Sequence, residues 1–317
     1  MSAFDPAQFT CEVNTVCEQF ADGIDDFIDR EESRYDNQIL DAAKLIASLT
    51  NGCQIVWMCG PSSVGKTTTA KRLCDALQAR HVQAFVVTLD DFYRGRGEAP
   101  LLPDGSYDYE SPKALDLPLL ERCVRELMTV GETYLPRFDF TAGKRRDEKT
   151  FLRVSGNTVV IFEGIQAFSP LLTEGWDTAA LGKPLRVFIN ALTRFTDGDE
   201  VLLCRRDIRL SRRLLRDERT RGSDFAATMA MWDKVLAGED THIFPYNGQT
   251  DIRIDTSLRY EPCVIAGLLG DRLCELANTP YADKAAKLKA TYDRFPAIPL
   301  EAVPADSVLR EFLGRRA

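Results

Sequence analysis

One octapeptide limits the fold more than anything else in this chain: Gly60-Pro61-Ser62-Ser63-Val64-Gly65-Lys66-Thr67, which fits G-x-x-x-x-G-K-[ST]. The two glycines let the backbone curl until successive N–H groups face one concavity, a cradle for phosphate oxygens. That cradle works only between a strand and the positive end of a helix. Both neighbours are present. Gln54–Cys59 is a short apolar run the size of a buried strand, and Ala70, Leu73, Cys74 and Leu77 recur at helical spacing behind the loop. Lys66 brings a point charge to the β- and γ-phosphates, and the Thr67 hydroxyl suits a Mg²⁺ position. Thr68 extends the phosphate-facing turn.

The rest of the chain alternates in the way such a loop requires. Val82–Leu89, Thr158–Phe162, Leu185–Asn190 and Asp251–Asp255 read as further strands separated by helical or loop segments. The expectation is an α/β fold of the P-loop NTPase type: a parallel five-stranded sheet with helices on both faces, plus helical N- and C-terminal extensions. Residues 1–51 are expected to form a helical extension, 52–258 the phosphate-loop domain with a lid around 205–222, and 259–317 a helical extension packed on it. Within the last segment, helices are expected over Cys263–Ala277, Ala282–Tyr292 and Ser307–Leu313.

Composition narrows the partners. A net charge of −8 argues against nonspecific nucleic-acid or anionic-membrane binding. No apolar run has the length of a membrane span, and no signal peptide is evident. Nine scattered cysteines without a C-x-x-C pair suit reduced core residues in a cytoplasmic protein. With only His81 and His242, a histidine-rich metal site is ruled out. A homo-oligomer is left open.

Phosphoryl transfer needs a metal, cations for the equatorial charge, and a group that orients the acceptor hydroxyl. Asp90 and Asp91 end one strand and Glu163 ends another, at the carboxyl edge where ligands of such sheets bind. Asp90 is the candidate base; Thr67, Asp90 and Glu163 are the candidate Mg²⁺ set. The segment 205–221 holds eight arginines and three acids. Arg205, Arg209, Arg212, Arg213 and Arg216 share one helical face, opposite Ile208, Leu210, Leu214 and Leu215. Forked guanidinium groups match phosphate oxygens, so this helix is expected to be a lid over the triphosphate, with Arg212 and Arg216 catalytic and Arg213 on ATP. Tyr107-Asp108-Tyr109-Glu110 sets acids beside rings, as a polyhydroxyl or ribose-bearing acceptor would need.

Six ordered stretches together resemble the uridine kinase and phosphoribulokinase family of phosphate-loop kinases, over roughly residues 52–258. They are Gly60–Thr67, Thr88-Leu89-Asp90-Asp91-Phe92-Tyr93, Asp108-Tyr109-Glu110-Ser111-Pro112, Leu135-Pro136-Arg137-Phe138-Asp139-Phe140, Ile161-Phe162-Glu163-Gly164-Ile165, and 209–217. The resemblance implies an ATP- and Mg²⁺-dependent kinase acting on a small-molecule hydroxyl. Asp90 would be the base, Tyr93 and Glu110 would face the acceptor, and the arginine helix would be the lid. The chain departs from uridine–cytidine kinases at two places. Phe138 stands where they carry a tyrosine, and Thr141–Arg146 lacks their histidine, so two polar contacts to a pyrimidine are missing. Phe138-Asp139-Phe140 with Gly143-Lys144-Arg145, the 193–204 insert, Met231-Trp232, Ile243-Phe244-Pro245 and the Leu309–Phe312 tail look more like a bacterial uridine-kinase-like subgroup. The expected acceptor contacts are Tyr93, Asp108, Glu110, Phe138, Lys144, Arg145 and Arg221. A nucleoside is the leading acceptor. Lys144–Arg146 keep open an anionic one, such as a sugar phosphate or other small alcohol. An ATP-binding regulatory protein without acceptor is the reading from another class; a GTPase switch would want Asn-Lys-x-Asp, which is lacking.

Overall fold

β-Branched and aromatic residues in runs of four to seven favour extended backbone, and here they give strands buried on both faces. The computed structural model describes residues 9–174 and 182–314. Its main sheet contains β2 (Cys53–Cys59), β3 (Gln83–Thr88), β8 (Thr158–Glu163), β9 (Leu185–Asn190) and β12 (Ile252–Asp255). They pair in the order β12-β9-β2-β8-β3, every neighbour parallel. All six residues of β8 are buried. Along β2 the side chains alternate: Val56 and Met58 enter one core, Ile55, Trp57 and Cys59 the other. The first core lies under α2 (Ile24–Leu49) and α3 (Lys66–Gln78); the second lies under α4 (Leu117–Thr129). β2 is central, with β8 and β9 on either side, so its carboxyl end opens into the crevice where the connections diverge.

The ends of the chain are more than helical additions. β1 (Thr10–Glu12) precedes α1 (Val13–Asp22), and α2 follows after a break at Gly23, whose φ of 151° a side chain would not tolerate. β1 pairs with β10 (Arg194–Asp197), which forms a hairpin with β11 (Glu200–Leu203). The 193–204 insert is therefore a small sheet completed by the N-terminal strand. α2 lies against α3 and β12: the Tyr35 hydroxyl and Thr69 Oγ1 are 2.7 Å apart, and Gln38 donates to the Asp255 carbonyl at 3.1 Å. Between α4 and β8, β4 (Glu132–Leu135) pairs antiparallel with β7 (Thr150–Arg153), and the connection between them carries the hairpin β5 (Phe138–Asp139) with β6 (Lys144–Arg145).

Two long helices follow the insert, α5 (Arg205–Arg221) and α6 (Phe225–His242). Beyond β12 come α7 (Glu261–Leu269), α8 (Ala282–Tyr292) and the short α9 (Arg310–Leu313). The helix expected over 263–277 stops at Leu269; Asp271–Leu276 continues as a tighter 3₁₀ segment after Gly270. All nine cysteines are free. Among the described residues no helix is long and apolar enough to cross a membrane.

Candidate active site

The phosphate loop leaves β2 at Gly60, where a Cβ would come within 2.2 Å of the Ile189 carbonyl oxygen. Only glycine lets the loop cross the end of β9 so closely. Ser63 (φ 61°) and Gly65 (φ 84°) then turn the backbone through the left-handed region. Gly65 precedes α3, so the free N–H groups of the first helical turn join those of the loop. Lys66 Nζ folds back to the Pro61 carbonyl at 3.0 Å, across the cradle. Thr67 Oγ1 donates to Glu163 Oε1 at 3.3 Å.

Behind the loop stands α5, and here the expectation of a lid is corrected. Arg209 and Arg212 are 1% and 0% exposed, and Arg213 is also buried. Arg209 grips Glu239 of α6 through both nitrogens at 2.6 and 2.7 Å. Glu239 Oε1 accepts the Ser62 N–H at 3.1 Å, and Arg209 Nη1 donates to the Ser62 carbonyl at 3.3 Å. Arg212 binds both oxygens of Glu261 at 2.5 and 2.7 Å and the Thr256 carbonyl at 2.8 Å. Thr256 Oγ1 in turn donates to the Val64 carbonyl at 2.7 Å. Arg213 Nη1 donates to Ser62 Oγ at 2.9 Å. These guanidinium groups hold the loop's backbone in shape. Arg212, expected to be a catalytic lid residue, has its donors committed to Glu261 and Thr256. Buried charges persist only when paired like this.

Asp217 organises the exposed end of α5. It is fully buried and takes Arg213 at 3.2 Å, Arg216 at 2.7 Å and Arg221 at 3.5 Å. Arg221 keeps 56% of its side-chain surface exposed, and its charge acts on Asp90, as does that of Lys66.

The carboxylates sit across from the loop. Asp90 lies in a 3₁₀ turn after β3, its N–H capped by Thr88 Oγ1 at 3.3 Å. Burial pushes its carboxyl above the usual range; Lys66 and Arg221 oppose the shift, and Asp91 adds to it. Glu163, at the end of β8, is likewise raised by burial, with Lys66 opposing and Asp90 adding. Lys66 is thus the cation common to both. Asp91 points elsewhere: it accepts the Phe138 N–H at 2.9 Å and pairs with Arg137 at 3.5 Å.

On the acceptor side, rings form a wall. Tyr93 lies 5.9 Å from Phe138, 6.3 Å from Tyr109 and 6.4 Å from Phe140, centroid to centroid. The Tyr93 hydroxyl donates to the Tyr109 carbonyl at 2.8 Å and accepts from Gln166 Nε2 at 3.1 Å. Glu110 is pushed up to about 7, first by burial and next by the charge of Glu239; Arg213 and Lys66 oppose it. Two residues expected on the acceptor are used to build the site instead. Asp108 Oδ1 accepts the N–H groups of Glu110 and Ser111, both at 3.1 Å, and its Oδ2 meets His242 Nε2 at 3.1 Å. Arg145 donates to Asp116 at 2.7 Å and to the Tyr93 carbonyl at 3.1 Å, locking the β5–β6 hairpin to the turn after β3. Lys144 is exposed beside it.

Glu239, Gln166, Asp217 and Glu261 were not singled out from sequence. Glu239 had a signal: it falls at helical spacing with the buried Trp232 and Val235, an acid on an apolar stripe. Gln166 had none.

Residues 55–171 match the model of the Phosphoribulokinase / Uridine kinase family. A uridine kinase of Lactobacillus johnsonii is 29% identical over 63% of this chain and 90% of its own length. Uridine-cytidine kinase B of Dictyostelium discoideum is 27% identical over 63% of this chain and 73% of its own. The solved phosphoribulokinase from Rhodobacter spheroides aligns with 63% of this chain and 69% of its own at 16% identity, with a TM-score of 0.42. The strand–loop–helix core, the strand-end carboxylates and this match make residues 55–171 similar to the phosphoribulokinase and uridine kinase family, and the similarity supports a phosphotransferase acting on a hydroxyl group.

Proposed function

We propose that this chain moves the γ-phosphate of ATP, with Mg²⁺, to a hydroxyl of a small acceptor, and that the acceptor is a nucleoside. The observation that carries the reading is Asp90. It is a recessed carboxylate near Lys66, between the phosphate loop and a wall of rings. A carboxyl with a raised pKa is a better proton acceptor at neutral pH. Asp90 takes the acceptor's hydroxyl proton as the oxygen attacks, and Lys66 stabilises the charge on the transferring group. The loop N–H groups orient the phosphates; Tyr93, Phe138 and Tyr109 supply flat surface for a base. The curated relatives named above, a uridine kinase and a uridine-cytidine kinase, support the nucleoside reading.

Glu163, Asp90 and Thr67 suit Mg²⁺, which takes hard oxygen ligands and keeps part of its shell for substrate phosphates. Among the described residues no three or more His, Cys, Asp or Glu side chains gather to hold a metal by themselves. When bound, the ion would neutralise charge on the phosphate oxygens.

An anionic acceptor is less well served. Arg145 is committed to Asp116 and Arg146 to Asp139 at 3.2 Å, which leaves Lys144 as the exposed cation of that hairpin. ADP release with Mg-ATP across nucleosides, sugars and sugar phosphates separates the readings. Nucleoside-dependent turnover is expected. Faster turnover on a sugar phosphate would reverse the acceptor assignment, and ATP binding without turnover on any acceptor would favour the regulatory reading.

Glu110 gives a pH signature. Its folded pKa of about 7 stands above the ordinary 4.5, so the folded protein holds this proton more tightly than the unfolded chain. The charged form then costs stability, a cost that grows as pH rises from 4.5 through 7. If the carboxylate receives an acceptor hydroxyl, kcat/KM for the acceptor falls as pH drops below 7, while KM for ATP stays level. In Glu110→Gln the acceptor term is low and flat between pH 6 and 8, and the variant gains stability at pH 8 relative to pH 5. A pH profile unchanged by the substitution refutes the role.

A further inference from the structure

The C-terminal tail lies on the phosphate loop. Val308, Leu309, Phe312 and Leu313 are each at most 1% exposed. A Cβ on Gly65 would come within 2.6 Å of Val308 Cγ2, so the tail lies against the loop's second glycine. The Phe312 ring lies 4.9 Å from the Arg212 guanidinium carbon. Arg72 donates to the Asp306 carbonyl and Arg219 to the Leu313 carbonyl, which pins both ends of the segment. Between these anchors Glu311 reaches the first turn of α3. Its Oε2 accepts the Thr68 hydroxyl at 2.6 Å and the Thr68 N–H at 3.3 Å.

Thr68 is the third residue of a helix whose N-terminus opens onto the cradle, so its N–H has no partner inside the helix. Such an N–H and its hydroxyl are the donors a phosphate oxygen uses at a helix start. In this structure a carboxylate of the same chain uses them. Its charge also acts on Glu163 and on Arg221, residues around the same cavity.

We propose that Glu311 sets the affinity for the phosphate donor: its carboxylate holds a phosphate position on Thr68, and the donor must displace it to seat fully. This inference rests on the reading that the loop binds a nucleoside triphosphate. Displacement requires only a side-chain rotation of Glu311, because the tail is held by the buried Val308, Leu309, Phe312 and Leu313 rather than by this carboxylate. Two anions cannot share one pair of donors, so binding of the donor is weakened by the free energy of the Glu311–Thr68 contact. Removing the charge removes that competition.

The test is Mg-ATP binding by calorimetry to the full chain, in wild type, Glu311→Gln and Asp306→Asn. Asp306 lies on the same tail with 87% of its side chain exposed, so its variant changes net charge equally without touching Thr68. Glu311→Gln is expected to lower the Kd for ATP about three- to tenfold, the scale of one charge-assisted hydrogen bond discounted for partial exposure. Asp306→Asn is expected to leave it unchanged. Inorganic tripolyphosphate should show the same gain, since the competition is for phosphate oxygens. Equal or weaker ATP binding by Glu311→Gln overturns the proposal alone, as does an identical gain in Asp306→Asn. Failure of all three proteins to bind ATP overturns both it and the nucleotide reading. Circular dichroism of each variant checks that the tail remains folded.

Discussion

Asp90→Asn is expected to lower kcat by roughly 10³-fold, within the usual contribution of a positioned general base, with the Kd for Mg-ATP little changed. The substitution keeps the shape of the side chain and removes its charge and its capacity to take a proton, while Thr67 and Glu163 remain for the metal. The turn does not depend on that carboxylate, because its N–H is capped by Thr88 Oγ1 rather than by its own side chain. One of several crowded negative charges disappears, since Asp91 raises the Asp90 pKa and Asp90 raises that of Glu163. The variant should therefore melt no lower than wild type at pH 7. Single-turnover phosphoryl transfer, with ATP binding measured separately, makes the distinction. Lost ATP affinity with kcat preserved would remove Asp90 from the role of base and leave it a role on the metal.

The second large effect concerns stability. Glu239→Ala strands the buried Arg209 charge and takes the acceptor from the Ser62 N–H. Breaking a buried pair in this way costs about 3–5 kcal/mol. For a chain of this size that is a fall in Tm on the order of 10 °C. ATP affinity should drop further than the stability loss alone explains, because Ser62 loses the contact that holds the loop's shape. The double replacement Arg209→Met/Glu239→Leu tests this split. Apolar side chains of similar volume are expected to recover much of the stability, as well-packed substitutes for buried ion pairs do. They are not expected to recover ATP affinity. A Glu239→Ala protein that melts within a degree of wild type would show the pair to be dispensable.

Much of the fold was legible because its signals are local. The strand, glycine loop and helix occupy one continuous stretch, and Asp90 and Glu163 were readable as acids that end apolar runs. The arginine helix was misjudged for a physical reason. Its cations alternate with leucines, the usual sign of a solvated face, yet Arg209 and Arg212 are buried by partners at Glu239 and Glu261, which lie 30 and 49 residues further on. Nothing within the helix announces those partners. Asp108 and Arg145 were placed near the right site but assigned to the acceptor. Each instead satisfies neighbouring backbone or an acid, a distinction that depends on hydrogen-bond geometry rather than residue type. The N-terminal segment read as one helix, although Gly23 was an available break signal.

The seam between α2 and β12 has a bearing on how the chain is made. Arg34 pairs with Asp255 across 221 positions of sequence, and Gln38 bonds the same strand from the same helix. On a ribosome adding about 5–20 residues per second, α2 is complete some ten to forty seconds before its partner strand exists. Throughout that interval α2 can meet α3, as Tyr35 meets Thr69, but the part of its face that faces β12 has no strand to rest on. The packing of α2 is therefore completed only with β12, the last of the described strands, and slowing translation after residue 50 would lengthen the exposure of that face to chaperones and proteases.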